Sequence, residues 1–121
     1  MRVLLDSSFI VSCVRNRIDF LSQLEEQGFK VIAPREVMQE LKDLKSESKT
    51  SHDDRIAINV ALDLLSKRNI GKIKIGGKNV DEGLIMRGRE GYYVATLDAG
   101  IKRKIPNKVI IFRSKGKVGV G

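Results

Sequence analysis

Val3-Leu4-Leu5-Asp6-Ser7-Ser8-Phe9-Ile10 is three apolar residues, then a carboxylate, then two small hydroxyl residues that lead into an amphipathic segment. A short continuous apolar run is how a strand covered on both faces reads. Ser7 or Ser8 is placed to cap the helix that follows, from Phe9 to about Arg15. Tyr92-Tyr93-Val94-Ala95-Thr96-Leu97-Asp98 repeats the pattern near the other end of the chain: a second strand, a second terminal aspartate, then a helical stretch around Gly100 to Ile105.

The same alternation continues between these two points. Asp19 opens a helix with Phe20, Leu21 and Leu24 on one side, stopped by Gly28. Phe29 to Ala33 reads as a strand, and Pro34 as the first-turn residue of a helix reaching Lys45. After the polar stretch Ser46 to Ser51, Asp53 or Asp54 caps a long helix through Arg68, with Ile56, Val60, Leu64 and Leu65 at helical spacing. Ile73 and Ile75 alternate with lysines as a half-exposed strand. Asn79 caps a helix to about Glu90, stopped by Gly91, and Val109 to Phe112 is a last buried strand. Strands alternating with helices predict an α/β fold, a three-layer α/β/α sandwich around a central, mostly parallel sheet. No stretch reads as a linker; residues 1–113 form the expected domain and 114–121 a basic C-terminal tail.

Composition narrows the chemistry. The 121 residues are 41% apolar and 31% charged, which suits one globular domain. The opening segment carries Arg2 before apolar residues, but Asp6 interrupts it, so a strand rather than a signal peptide is expected, and a cytoplasmic location with it. No apolar run approaches the ~20 residues of a membrane span. Cys13 is the only cysteine and His52 the only histidine. There is no disulfide framework and no support for Ser-His-Asp or Cys-His hydrolysis. Cys13 reads as a small buried hydrophobe and His52 as a solvated loop residue. Catalysis would have to run on carboxylates. The net charge of +8 suggests a polyanionic partner, RNA or DNA first. It is also regional: no acid follows Asp98, whereas Lys102, Arg103, Lys104, Lys108, Arg113, Lys115 and Lys117 do.

Of the acids, four are out of place on a solvated helix face. Asp6 and Asp98 end buried strands, where open α/β sheets place their ligands; each could also be a helix cap. Glu40 borders the apolar stripe Val37, Leu41 and Leu44, whereas Glu36 and Asp43 fall toward solvent. Asp81 falls on the helix face of Val80, Leu84, Ile85 and Gly88, where an unpaired charge is costly, and Glu82 points away. Several carboxylates held together repel one another, and Mg²⁺ or Mn²⁺, which prefer oxygen ligands, would relieve that repulsion.

These residues resemble a PIN-domain nuclease. Val3 to Ile10 is similar to that family's opening strand, Val80-Asp81-Glu82-Gly83-Leu84 to its central acidic helix start, and Tyr93 to Asp98 with Ile101 to Lys104 to its last catalytic strand and the basic helix after it. Pro34 through Leu44 resembles the helix that carries the family's glutamate. The resemblance implies metal-dependent cleavage of RNA to 5′-phosphate and 3′-hydroxyl ends. It implies Asp6, Glu40, Asp81 and Asp98 as the catalytic, metal-binding acids and Ser7 and Thr96 as hydrogen-bonding supports. Lys102, Arg103 and Lys104 would hold RNA. Ser8 stands where many members have asparagine, and Glu82 where some have a second aspartate.

Within the family, the run Thr96 to Lys104 is most similar to PIN nucleases of small-subunit ribosomal RNA processing. Toxin nucleases of the VapC kind share the same acids. A ribosome-assembly partner, an antitoxin, and a homodimer through Leu62, Leu65 or Tyr92 are the corresponding expectations. A catalytically silent RNA-binding module is opposed by retention of all four acids. A nucleotide-binding Rossmann-type fold lacks its glycine fingerprint after the first strand, and a flap-type DNA nuclease lacks any segment for a helical arch.

Overall fold

Alternation along β1 (Arg2–Leu5) divides the protein into layers. Val3 and Leu5 face one side and Leu4 the other, and all three are fully buried, which is why the run is continuously apolar. The computed structural model describes residues 1–121. On the Val3/Leu5 side pack α1 (Ser7–Arg15), α2 (Phe20–Glu26), α3 (Arg35–Ser46) and α4 (His52–Lys67), burying Phe9, Phe20, Leu24, Val37, Leu41 and Ile58. On the Leu4 side, α5 (Val80–Arg89) and α6 (Ala99–Lys104) bury Leu84 and Ile101 against Ile32 and Val94.

The sheet has six strands in the order β3-β2-β1-β4-β5-β6. These are β1, β2 (Lys30–Pro34), β3 (Gly71–Ile73), β4 (Tyr93–Ala95), β5 (Lys108–Phe112) and β6 (Lys117–Val120). All neighbours are parallel except β5 and β6. The chain leaves β1 to one side, through β2 and β3, and returns on the other side to β4. The crevice between the carboxyl ends of β1 and β4 is therefore a topological switch point, the place where such sheets bind ligands. The α/β class and the mostly parallel sheet are as expected from the sequence.

Several local expectations are corrected. Asp6, not Ser7 or Ser8, caps α1: its carboxylate accepts the Ser7 N–H at 2.8 Å, and the helix starts at Ser7. Pro34 ends β2 and precedes α3 rather than occupying its first turn. Ser51 caps α4 by accepting the Asp54 N–H, which leaves Asp53 and Asp54 in the first turn, where the helix dipole favours them. His52 is exposed, but on that helix rather than in a loop. Ile56 and Val60 are 49% and 48% exposed, and α4 instead buries Ala57, Ile58, Ala61 and Leu65. The reason is that α4 packs chiefly on α1 and α3, and small alanines allow that close helix approach. Leu65 is fully buried in this core and so cannot form a dimer interface. Tyr92 is half-buried and contacted by Arg2, whose guanidinium lies 4.0 Å from its ring centroid and donates to its hydroxyl.

Residues 114–121 are not a free tail. A 3₁₀ turn at Arg113–Lys115 and Gly116 at φ +60° send the chain back as β6, where Val118 is buried. Alternating lysine and glycine hid this strand; a charged, short edge strand is how sheets avoid pairing with other chains. β6 covers the outer edge of β5, yet β5 is only partly buried rather than the buried last strand expected, and Phe112 at its end is exposed.

Candidate active site

Asp6 is the fixed point of the switch-point crevice. Its backbone N–H donates to the Ala95 carbonyl at 2.9 Å, tying the ends of β1 and β4 together. Its side chain is almost fully buried, with one oxygen on the Ser7 N–H and the other accepting from the Thr96 hydroxyl at 2.7 Å. Thr96, fully buried, in turn accepts the Asp98 N–H at 3.1 Å. One hydroxyl thus sets the spacing between the two strand-end aspartates. Asp98 caps α6 through Ile101 N–H at 2.9 Å with a single oxygen, which leaves its second oxygen free of the protein. Each of these aspartates is a helix cap and a wall of the crevice at once.

Two further acids arrive from the flanks. Glu40 of α3 is half-buried and held by the Ser7 hydroxyl. Asp81 stands in the first turn of α5, whose Asn79 cap accepts the Glu82 N–H at 2.8 Å. Asp6, Glu40, Asp81 and Asp98, with Ser7, Ser8 and Leu97, line one open pocket of about 300 Å³. Asp81 is exposed rather than buried on an apolar face. The face that covers Leu84 and Gly88 lower on α5 opens into the pocket at the first turn. Glu82 does not line this pocket.

No lysine or arginine lines it, and none of the four acids is in a salt bridge, in a chain with 23 of those cations. Burial raises the Asp6 carboxyl above its ordinary pKa, against the Thr96 and Ser7 hydrogen bonds that lower it, and the charges of Glu40 and Asp81 raise it further. An all-oxygen, uncompensated donor set suits Mg²⁺ or Mn²⁺, which keep several of their waters. As the side chains stand, no three of them converge into a ready-made cage. Cys13 is buried with its thiol pushed up to about 12 by that burial, the Arg113 charge pulling the other way, so it offers no nucleophile.

Glu36 was expected in solvent, yet it positions the site from one helical turn before Glu40. Its carboxylate accepts the Ile75 N–H, 3.1 Å from each oxygen, and the Gly76 N–H at 2.9 Å. Those residues form the connection that leads from β3 to Asn79 and Asp81. Burial would raise Glu36, but the N–H donors of Gly76, Ile75 and its own backbone, with Lys74, hold it below its ordinary value. Nothing in a single sequence marks this residue, because its partners are backbone groups. A lowered folded pKa means the stabilisation is present above the unfolded pKa and is lost as pH falls through the folded one. Glu36→Gln should lower stability at neutral pH by about 1 kcal/mol, the scale of a charged hydrogen bond partly screened by solvent. Denaturant melts at pH 7 and pH 3 check this: the difference from wild type should shrink at the lower pH.

A family model described as a PIN like domain matches residues 3–115. The solved structure of the PIN domain endonuclease Utp24 is similar at TM-score 0.74 and 21% identity, covering 98% of this chain and 90% of that one. No curated protein matches the chain significantly.

Proposed function

The chain belongs to the PIN-like domain family, and from that premise we propose that it is a divalent-metal-dependent endoribonuclease that hydrolyses RNA phosphodiester bonds. The observation that carries this is the switch-point pocket, which four carboxylates from four segments line with no lysine or arginine among the lining residues. The fold likeness to an endonuclease supports the same reading. Ribosomal RNA processing is the proposed setting, on the similarity of Thr96 to Lys104 to that branch of the family.

Asp6, Glu40, Asp81 and Asp98 would hold Mg²⁺ or Mn²⁺. When bound, such an ion supplies an activated water and neutralises charge on the phosphoryl oxygens. The chain's own part is positioning. Asp6 is rigid, fixed by Ser7 and Thr96. Asp98 presents its free oxygen from the α6 cap, and Glu40 is aimed by the Ser7 hydroxyl. Asp81, exposed at the mouth, is the member free to follow a substrate. RNA would be held from the α6 side, where Lys102, Arg103 and Lys104 end the helix; Lys104 and Arg89 line a depression that also contains Asp81.

Purified protein should cleave single-stranded or structured RNA with Mn²⁺ or Mg²⁺, stop with EDTA and recover when the metal is returned. RNA cleavage unaffected by EDTA would overturn the proposal. In the same preparation, neutralising Lys102, Arg103 and Lys104 together should weaken RNA binding and flatten its dependence on salt. An unchanged salt slope would place the RNA elsewhere.

A further inference from the structure

A second pocket, of about 380 Å³, adjoins the acidic one and shares Ser7 and Ser8 with it. Its apolar floor comes from three helices: Val11 of α1, Leu44 of α3 and the buried Ile58 of α4. Ser8 and Ser12 of α1 and Asn16, which caps its C-terminus, are four residues apart and form a polar stripe along it together with Thr50. At ~1.5 Å rise per residue, the stripe covers about 12 Å from Ser8 to Asn16. Arg15 and Asp54 also line the pocket, paired with each other at 3.0 Å.

That pairing decides what the pocket can take. Its only cation is already held by Asp54, so it offers a phosphate no free positive charge. An apolar floor with a polar rim and balanced charge instead suits an uncharged, flat group with hydrogen-bonding edges. We infer that this pocket binds a nucleobase of the RNA strand, adjacent to the phosphate that sits on the acidic site. The base lies over Val11, Leu44 and Ile58 and turns its edge to the α1 stripe. Asn16 commits its amide nitrogen to the Ser12 carbonyl at 2.7 Å, which leaves the amide oxygen for the base. The inference rests on the ribonuclease reading for what occupies the acidic site, and it adds a base-reading subsite to it.

Isotope-labelled Asp98→Asn protein in Mg²⁺ provides the test, with a single-stranded RNA hexamer and an abasic ribose-phosphate hexamer as probes. The RNA should shift the amide resonances of Ser12, Asn16 and Thr50, and the abasic probe should leave them unmoved. Ser12→Leu, which fills the pocket from a helical position, should weaken the RNA hexamer about tenfold and leave abasic affinity unchanged. If that variant does not fold, the resonance shifts decide alone. Equal shifts with both probes, no shift with RNA bound, or no RNA binding at all overturns the inference. Wild-type cleavage without pocket shifts removes the base pocket only; pocket shifts with no wild-type cleavage remove the ribonuclease reading only.

Discussion

Asp98→Asn should lower RNA cleavage about 10²–10³-fold, the scale at which removal of one positioned electrostatic group is felt in an active site, while the protein stays folded. The asparagine oxygen can still accept the Ile101 N–H that starts α6, and the backbone N–H on Thr96 is untouched. What is lost is one negative charge on the pocket wall. Asp6→Asn should be equally inactive and adds a thermodynamic signature. The raised folded pKa of Asp6 means that its contribution to stability is full below the unfolded pKa and is lost as pH rises through the folded one. Ionised Asp6 is therefore a cost at neutral pH in metal-free protein, and the asparagine variant should melt higher than wild type at pH 7 in EDTA, with the difference closing toward pH 3. Cleavage that survives in both variants would mean that the acidic pocket is not the active site.

Gly83→Ala should destabilise the protein by about 2–3 kcal/mol, the cost of overpacking a tight contact, or about 10 °C in melting temperature. Helix propensity alone predicts the opposite, a gain of roughly 0.5–1 kcal/mol. Packing wins because of what the new methyl would meet: the Gly76 carbonyl oxygen, well inside van der Waals contact, and Ile75 side-chain carbons at 3.0 Å. A backbone carbonyl cannot rotate aside. Gly77, at φ +85°, crosses the same helix, and a Cβ there would lie 2.8 Å from the Gly83 nitrogen. Relief would have to part the 75–77 segment from α5, which carries Asp81, against the Glu36 clamp. Activity should therefore fall with stability. Gly71→Ala is the control, since its Cβ meets nothing within 4 Å. A Gly83→Ala protein as stable as wild type would show that the loop yields at no cost.

The layers were legible because they rest on local periodicity. Continuous apolar runs at β1 and β4, helical spacing in α1 to α3, and the Asn79 cap before α5 each need only near neighbours in sequence. Boundaries failed where the cap was assigned to a polar neighbour of the true one, Ser7 or Ser8 for Asp6 and Asp53 or Asp54 for Ser51. Propensity permits either, and the strand ends or the neighbouring helix choose. The exposed Ile56 and Val60 were misread for a related reason: a helical wheel shows that a face is apolar, not which partner covers it.

By itself the sequence determined the α/β order of elements and, with only one histidine and one cysteine in the chain, pointed to the two strand-end aspartates, Asp6 and Asp98, as members of one place. Tertiary structure decided how that place is built. The Thr96 hydroxyl couples the two aspartates, Ser7 aims Glu40, and Asp81 enters from the pocket mouth rather than from a buried face. The clamp from Glu36 to the loop before α5 is visible only in three dimensions. The physical reason is common to the three contacts: Thr96 to Asp6, Ser7 to Glu40 and Glu36 to the loop each join residues far apart in sequence, so the pattern of side chains along the chain holds no trace of them.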